Sequence, residues 1–187
     1  MSKEITKAIV DEFETELKKN LPQFQRIKGE PLPTGCRVYA WQFAPDLTFY
    51  VQLNIVHAEI FFVEIAWSRN GQWPTKTLPG MPRDIPEARL RRDNPVGGDF
   101  RFRLPYLWQA KDQSWDVIRQ RSFEERVREF ESPDFLQKLA TPVPLQEVLP
   151  KIREVVQDSV SKIGEYAVPY LLQVAKDVGV TATTHET

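Results

Sequence analysis

From Leu47 to Trp67 the chain alternates with a period of two, and that stretch does most to limit what it can fold into. Phe49, Val51, Leu53 and Ile55 fall on one side of an extended segment, with Thr48, Tyr50, Gln52 and Asn54 on the other. After His57-Ala58 the pattern resumes, with Phe61, Val63, Ile65 and Trp67 on one side and Phe62, Glu64 and Ala66 on the other. Residues two apart on a strand share a face, so the stretch predicts two adjacent half-buried strands of an antiparallel sheet.

The flanking segments build a scaffold around that pair. Ile5, Ile9, Val10, Phe13 and Leu17 recur at helical spacing, which predicts an N-terminal amphipathic helix capped by Ser2 and ended near Asn20-Leu21-Pro22. Arg37 to Phe43 reads as a short strand with Tyr39, Trp41 and Phe43 on one face. Ala44-Pro45-Asp46 turns the chain into the alternating pair. Phe100, Phe102 and Leu104 alternate with Arg101 and Arg103, which predicts a fourth strand. The fold class is therefore α+β: an antiparallel meander of about four strands, an N-terminal helix and a C-terminal helical segment.

The C-terminal third has a different character. Helical patterns run over Ser114 to Arg121, Phe123 to Phe130 and Asp134 to Leu139, and Thr141-Pro142-Val143-Pro144 reads as a linker. Val148, Leu149, Ile152, Val155, Val156, Val160, Ile163 and Ala167 then form the longest helical stripe in the chain. Pro150 is expected in its first turn, Pro169 is expected to kink or restart it, and Gly179 suits a C-cap. We divide the chain into a sheet domain (1–122), a helical segment packed on it or mediating oligomerisation (123–180) and a flexible tail (181–187).

Composition narrows the function classes. With 25 lysines and arginines against 26 acids, the net charge of -1 gives no bulk attraction to nucleic acid or anionic membrane. No run approaches the roughly 20 apolar residues of a membrane span. The single Cys36 excludes an intrachain disulfide framework. A soluble cytoplasmic protein is the expectation. Two histidines, His57 and His185, cannot supply a zinc site. Cys36 opens a strand and reads as a small apolar filler, and neither a nucleophile elbow nor a phosphate-binding glycine loop is present. Gly97-Gly98-Asp99-Phe100 lacks the acidic residue that the similar diguanylate cyclase signature has before its phenylalanine, and reads as a glycine turn. No cofactor or metal is called for.

Two places have chemistry to offer. Between Trp73 and Trp108 lies a long proline-rich segment. Residues 83–103 hold six arginines (Arg83, Arg89, Arg91, Arg92, Arg101, Arg103) against four acids (Asp84, Glu87, Asp93, Asp99). Tryptophan, tyrosine and arginine anchor protein interfaces, and a proline-stiffened loop costs less to order on binding. Trp73, Arg89, Arg91, Arg92, Tyr106 and Trp108 are accordingly the candidate protein-binding residues.

The second place is the polar side of the strand pair. Tyr50, Gln52, Asn54 and Glu64 lie there with Phe62, and a fourth strand with Phe102 inward adds Arg101 and Arg103. Such a face can stack bases or hold phosphates. Asp46, Glu59 and Glu64 invite comparison with magnesium-dependent nucleases of the Asp…Glu-x-Lys type, but Glu64 is followed by Ile65-Ala66-Trp67 and the lysine is missing. The competing expectation is that C-terminal helices cover Tyr50 and Phe62. The leading functional reading is a non-enzymatic interaction module that binds a protein partner or itself, of the accessory or immunity-like kind found in bacterial toxin and phage-defence systems. The alternative is nucleic-acid binding, or magnesium-dependent cleavage, on the sheet face.

Overall fold

Period-two residues make the sheet and period-3.6 residues make its cover. The computed structural model describes residues 3–27, 36–56, 60–74, 76–77, 100–109, 113–118, 131 and 143–181. Helix α1 (Lys3–Asn20) buries Ile5, Ile9, Val10, Phe13 and Leu17, the stripe read from the sequence. Glu4 lies in its first turn and Lys18 and Lys19 in its last, which complements the helix dipole.

The chain then enters β1 (Gln25–Arg26), β2 (Cys36–Ala44), β3 (Leu47–Val56) and β4 (Ile60–Ser68), which pair antiparallel in that order. Beyond β4 lie β6 (Phe100–Arg103), antiparallel to it, and β5 (Lys76–Thr77), parallel to β6. The central pair holds strict register from Thr48↔Ser68 to Val56↔Ile60. Between β2 and β3 the register shifts at Gln42/Ala44, where the Gln42 side-chain amide donates to the Ala44 carbonyl at 2.6 Å.

One face of this sheet is apolar throughout. Phe49, Val51, Leu53, Phe61, Val63, Ile65 and Phe102 are each at most 1% exposed. They form one cluster with α1 and with two C-terminal helices, α2 (Leu145–Lys162) and α3 (Val168–Asp177). Each fully buried side chain of this size contributes about 1.5–3 kcal/mol relative to exposure, so this layer dominates stability. Tyr39 packs on Phe13 at 5.6 Å between ring centroids, and Phe102 meets Tyr170 edge-on at 5.4 Å.

Three expectations are corrected. The C-terminal helices were expected over Tyr50 and Phe62, yet α2 and α3 lie against α1 and the apolar face. An apolar stripe has to be buried, and the larger apolar surface was on that side. The helical pattern begun at Ser114 gives way to β7 (Trp115–Asp116), which pairs with Ile60 and Phe61 of β4. There Trp115 stacks on Phe61 at 5.5 Å, its Nε1 donates to Asp158 Oδ2 at 2.8 Å, and Val117 is buried two residues on. Finally, α2 starts at Leu145, so Pro150 stands inside the helix rather than in its first turn.

The Pro169 expectation is met in an unforeseen form. A π-helical turn at Ile163–Ala167 joins α2 to α3, with Pro169 at the start of α3. Proline has no N–H and crowds the carbonyl four residues earlier, and a widened turn relieves both problems. The buried positions Ile163, Ala167 and Leu171 follow at steps of four residues, longer than the 3.6 of an α-helix. The extra residue in the π turn keeps them on the core side. Gly179 ends the element at φ 70°, where a side chain would be strained. The stretches 86–92, 123–130 and 134–139, together with Ser2, His57, Glu59, His185 and the Gly97–Asp99 turn, lie outside the described residues.

Candidate functional site

The sheet face away from the helices is polar and buried. Cross-strand pairing places Cys36 opposite Asn54, Val38 opposite Gln52, Gln52 opposite Glu64, Asn54 opposite Phe62, and Glu64 opposite Arg103. Tyr50 is 1% exposed, Gln52 4%, Asn54 6% and Glu64 6%. Burying such groups is costly unless they bond to one another, and here they do.

A carboxylate only accepts hydrogen bonds, and this sets the direction of the network. Asn54 Nδ2 donates to Glu64 Oε2 at 3.2 Å, and Arg101 Nε stands 3.6 Å from the same oxygen. The Asn54 amide therefore presents its Oδ1 in the other direction. That oxygen accepts from Gln52 Nε2 and, at 3.1 Å, from the Cys36 thiol. Turning the Asn54 amide over would set its oxygen against Glu64, and turning Gln52 would set two carbonyl oxygens together. The consequence falls on Gln52 Oε1, which is buried and accepts no hydrogen bond from the described residues. An unmet buried acceptor costs about 1–3 kcal/mol.

The network raises the Cys36 thiol pKa, first through burial and then through the nearby Glu64 charge. The reading of Cys36 as an inert filler missed its place as a donor to Asn54. Its register opposite Asn54 was the signal, and alternation alone cannot supply a register.

Aromatic and cationic groups border the network. The Arg103 guanidinium lies over the Phe62 ring at 3.6 Å and donates to Ser114 Oγ at 3.0 Å. Trp73 meets Tyr50 edge-on at 5.3 Å, with Arg101 6.0 Å from its ring centre. The structure thus brings together Tyr50, Gln52, Asn54, Glu64, Arg101 and Arg103, the six residues of the sheet-face expectation. What it does not provide there is an open platform.

The other expected set is divided. Trp73 belongs to the small cluster of Val38, Tyr50 and Ala66 on the polar face. Trp108 follows the 3-10 turn Leu104–Leu107 and packs on Tyr166 of the π turn at 5.0 Å, on the helical side. Tyr106 lies in that 3-10 turn, half-buried. Arg89, Arg91 and Arg92 lie outside the described residues. Lys162 Nζ, overlooked in the sequence, stands 5.1 Å from the Trp108 ring and 5.7 Å from the Tyr166 ring. A hydrogen bond to Glu165 pushes the Tyr166 phenol pKa up.

Of the three carboxylates of the nuclease comparison, Glu59 lies outside the described residues, and neither Asp46 nor Glu64 joins a metal-binding group among the described residues. Asp46, in the β2–β3 turn, pairs with Arg69, and Glu64 pairs with Arg101. Glu64 lies opposite Gln52, six residues along from Asp46, which at about 3.3 Å per residue puts the two roughly 20 Å apart. Among the described residues no three His, Cys, Asp or Glu side chains come together to hold a metal ion, and no helix is long and apolar enough to cross a membrane. Comparison with protein-family models, curated proteins and solved structures finds no match.

Proposed function

We propose that this chain is a protein-binding module whose contact surface centres on Trp108, Tyr166 and Lys162, with Tyr106 at its edge. The observation that supports it is the half-buried aromatic pair beside a lysine ammonium, Tyr166 on the π-helical turn and Trp108 at the end of the 3-10 turn. Tryptophan and tyrosine give large contact area for few rotatable bonds, and π turns recur at functional sites. Both rings are held before a partner arrives, so little ordering cost remains. The rings suit a partner surface that is apolar at its centre, and Lys162, which also pairs with Asp158 at 3.8 Å, can receive a further acidic group at its border. Asp46 and Glu64, each held by an arginine, support binding in preference to turnover.

Capture of a partner from the source cells by immobilised protein tests this reading. The double variant Trp108→Ala, Tyr166→Ala should lose about 30-fold or more in affinity, the scale of an interface anchor, and keep its fold by circular dichroism. Equal capture by parent and variant would dismiss the surface. The arginines proposed earlier in the chain are checked in the same assay by Arg91→Glu with Arg92→Glu.

A second reading, nucleic-acid binding on the sheet face, draws support from Arg103 over Phe62 and Arg101 near Trp73. The deep burial of Tyr50 and Gln52 weighs against a polymer reaching that face. Filter retention of single strands that falls steeply with salt would favour it; no retention at low salt would remove it.

A further inference from the structure

The turn after β4 brings a nucleophile, an electrophile and a leaving group together at Asn70-Gly71, where both residues are exposed. Asn70 is the only asparagine in the chain that glycine follows. Its Oδ1 accepts from the Ser68 hydroxyl at 2.6 Å and from the Gln72 N–H at 2.8 Å. The second bond folds the side chain over the Gly71 peptide, so that Cγ and the Gly71 nitrogen belong to one hydrogen-bonded ring. Among the described residues neither the Gly71 N–H nor Asn70 Nδ2 has a hydrogen-bond partner. We propose that Asn70 is a site of spontaneous modification in the folded protein, converted through a succinimide to aspartate and isoaspartate, with Ser68 and the Gln72 N–H assisting the step. The inference does not rest on the Trp108 surface.

Each group in the turn has a part in the chemistry. Hydroxide or water takes the Gly71 N–H proton, and the nitrogen attacks Asn70 Cγ. Negative charge then collects on Oδ1, where two donors already point, as in an oxyanion hole. The N–Cγ bond forms, the Cγ–Nδ2 bond breaks, and Nδ2 takes a proton from solvent and leaves as ammonia. Water opens the ring at one carbonyl to give aspartate and at the other to give isoaspartate. In sum an amide and a water become a carboxylic acid and ammonia, with no oxidant or cofactor. Gly71 suits the attack because it lacks a Cβ beside its nitrogen, and its φ of 73° is one that a side chain would strain. Isoaspartate adds a carbon to the main chain. It would therefore displace the tether of Trp73, which packs edge-on against Tyr50 on the polar face.

The test uses the full chain in mildly alkaline buffer, folded and in urea, and follows residue 70 by peptide mapping with mass spectrometry. The folded chain should convert at least as fast as the unfolded one. Ser68→Ala should slow conversion of the folded chain about tenfold, the scale of one hydrogen bond in the transition state. In urea the same variant should convert like the parent, because the assistance depends on the turn. The proposal is overturned if the folded chain keeps its amide while the unfolded chain loses it, or if folded Ser68→Ala converts at the parent rate. Should Ser68→Ala fail to fold, the folded and unfolded parent compared with each other decide alone.

Discussion

Both faces of the sheet are covered, and they are differently made. On the helical face Phe49, Val51, Phe61, Val63 and Ile65 have no polar group to satisfy, and their burial is favourable whatever the exact orientation of each ring. On the other face Gln52, Asn54 and Glu64 are buried only because each finds a partner of the right sense, and one atom of the set does not. The apolar side tolerates imprecision at small cost. The polar side is defined by direction, and a single reversed group would break it. Stability and specificity are thus divided between opposite sides of the same strands.

The largest effect that would challenge this division is on the helical face. Phe61→Ala removes the partner of Trp115 and opens the centre of the sheet, and should cost about 3–5 kcal/mol in urea unfolding. If it costs under 1 kcal/mol, the helical face is not where stability resides. Next comes Glu64→Ala, which leaves Asn54 Nδ2 and Arg101 without their acceptor and should cost about 2 kcal/mol, because the arginine keeps some contact with water. The same measurement on Gln52→Leu should give a change within about 1 kcal/mol, since it removes the unmet oxygen together with its bond. A loss as large as that from Phe61→Ala would show that the polar network carries stability after all.

A smaller, pH-dependent effect separates the faces further. Burial pushes the Tyr39 and Tyr170 hydroxyls up, Tyr170 from 10.0 to about 12. The unfolded chain then releases these protons at lower pH than the folded one. Their contribution is complete below pH 10 and is lost as pH rises from 10 toward 12. Alkaline denaturation monitored by near-ultraviolet circular dichroism should show this decline, and Tyr170→Phe should make it shallower. An unchanged slope would place Tyr170 in water. The smallest effect belongs to neither face. Lys7 and Asp11 pair on the exposed side of α1, and Lys7→Ala should change stability by under about 0.5 kcal/mol.

How much of this was legible in the sequence depended on whether a local rule could express it. Alternation placed Phe49 and Tyr50 on opposite faces correctly and oriented Phe102 inward with Arg101 and Arg103 outward, because side-chain direction on a strand is local. The stripe from Val148 to Ala167 announced a buried helix. It did not say which face would receive it, since burial area is a property of the assembled layers. Trp115 was read as helical because three or four apolar residues fit either period, and only pairing with Phe61 decided between them. The hydrogen bonds of Cys36, Gln52, Asn54 and Glu64 needed the register of β2, β3 and β4, and a slip of one residue would have dispersed them. The Trp108–Tyr166 contact joins residues far apart in the chain, and no spacing rule connects them.

The π turn before Pro169 makes chain length itself a constraint at that joint. Winding those five residues as ordinary α-helix, with none removed, would turn everything downstream by about 100°. Leu171, Val174 and Ala175, which now face the sheet, would rotate toward solvent, and Tyr166 would leave its place beside Trp108. Most substitutions there change one contact, whereas a change of winding without a change of length re-aims a whole helix. Homologous chains should therefore keep the widened turn with all five residues of Ile163–Ala167, or lose one residue and the widening together.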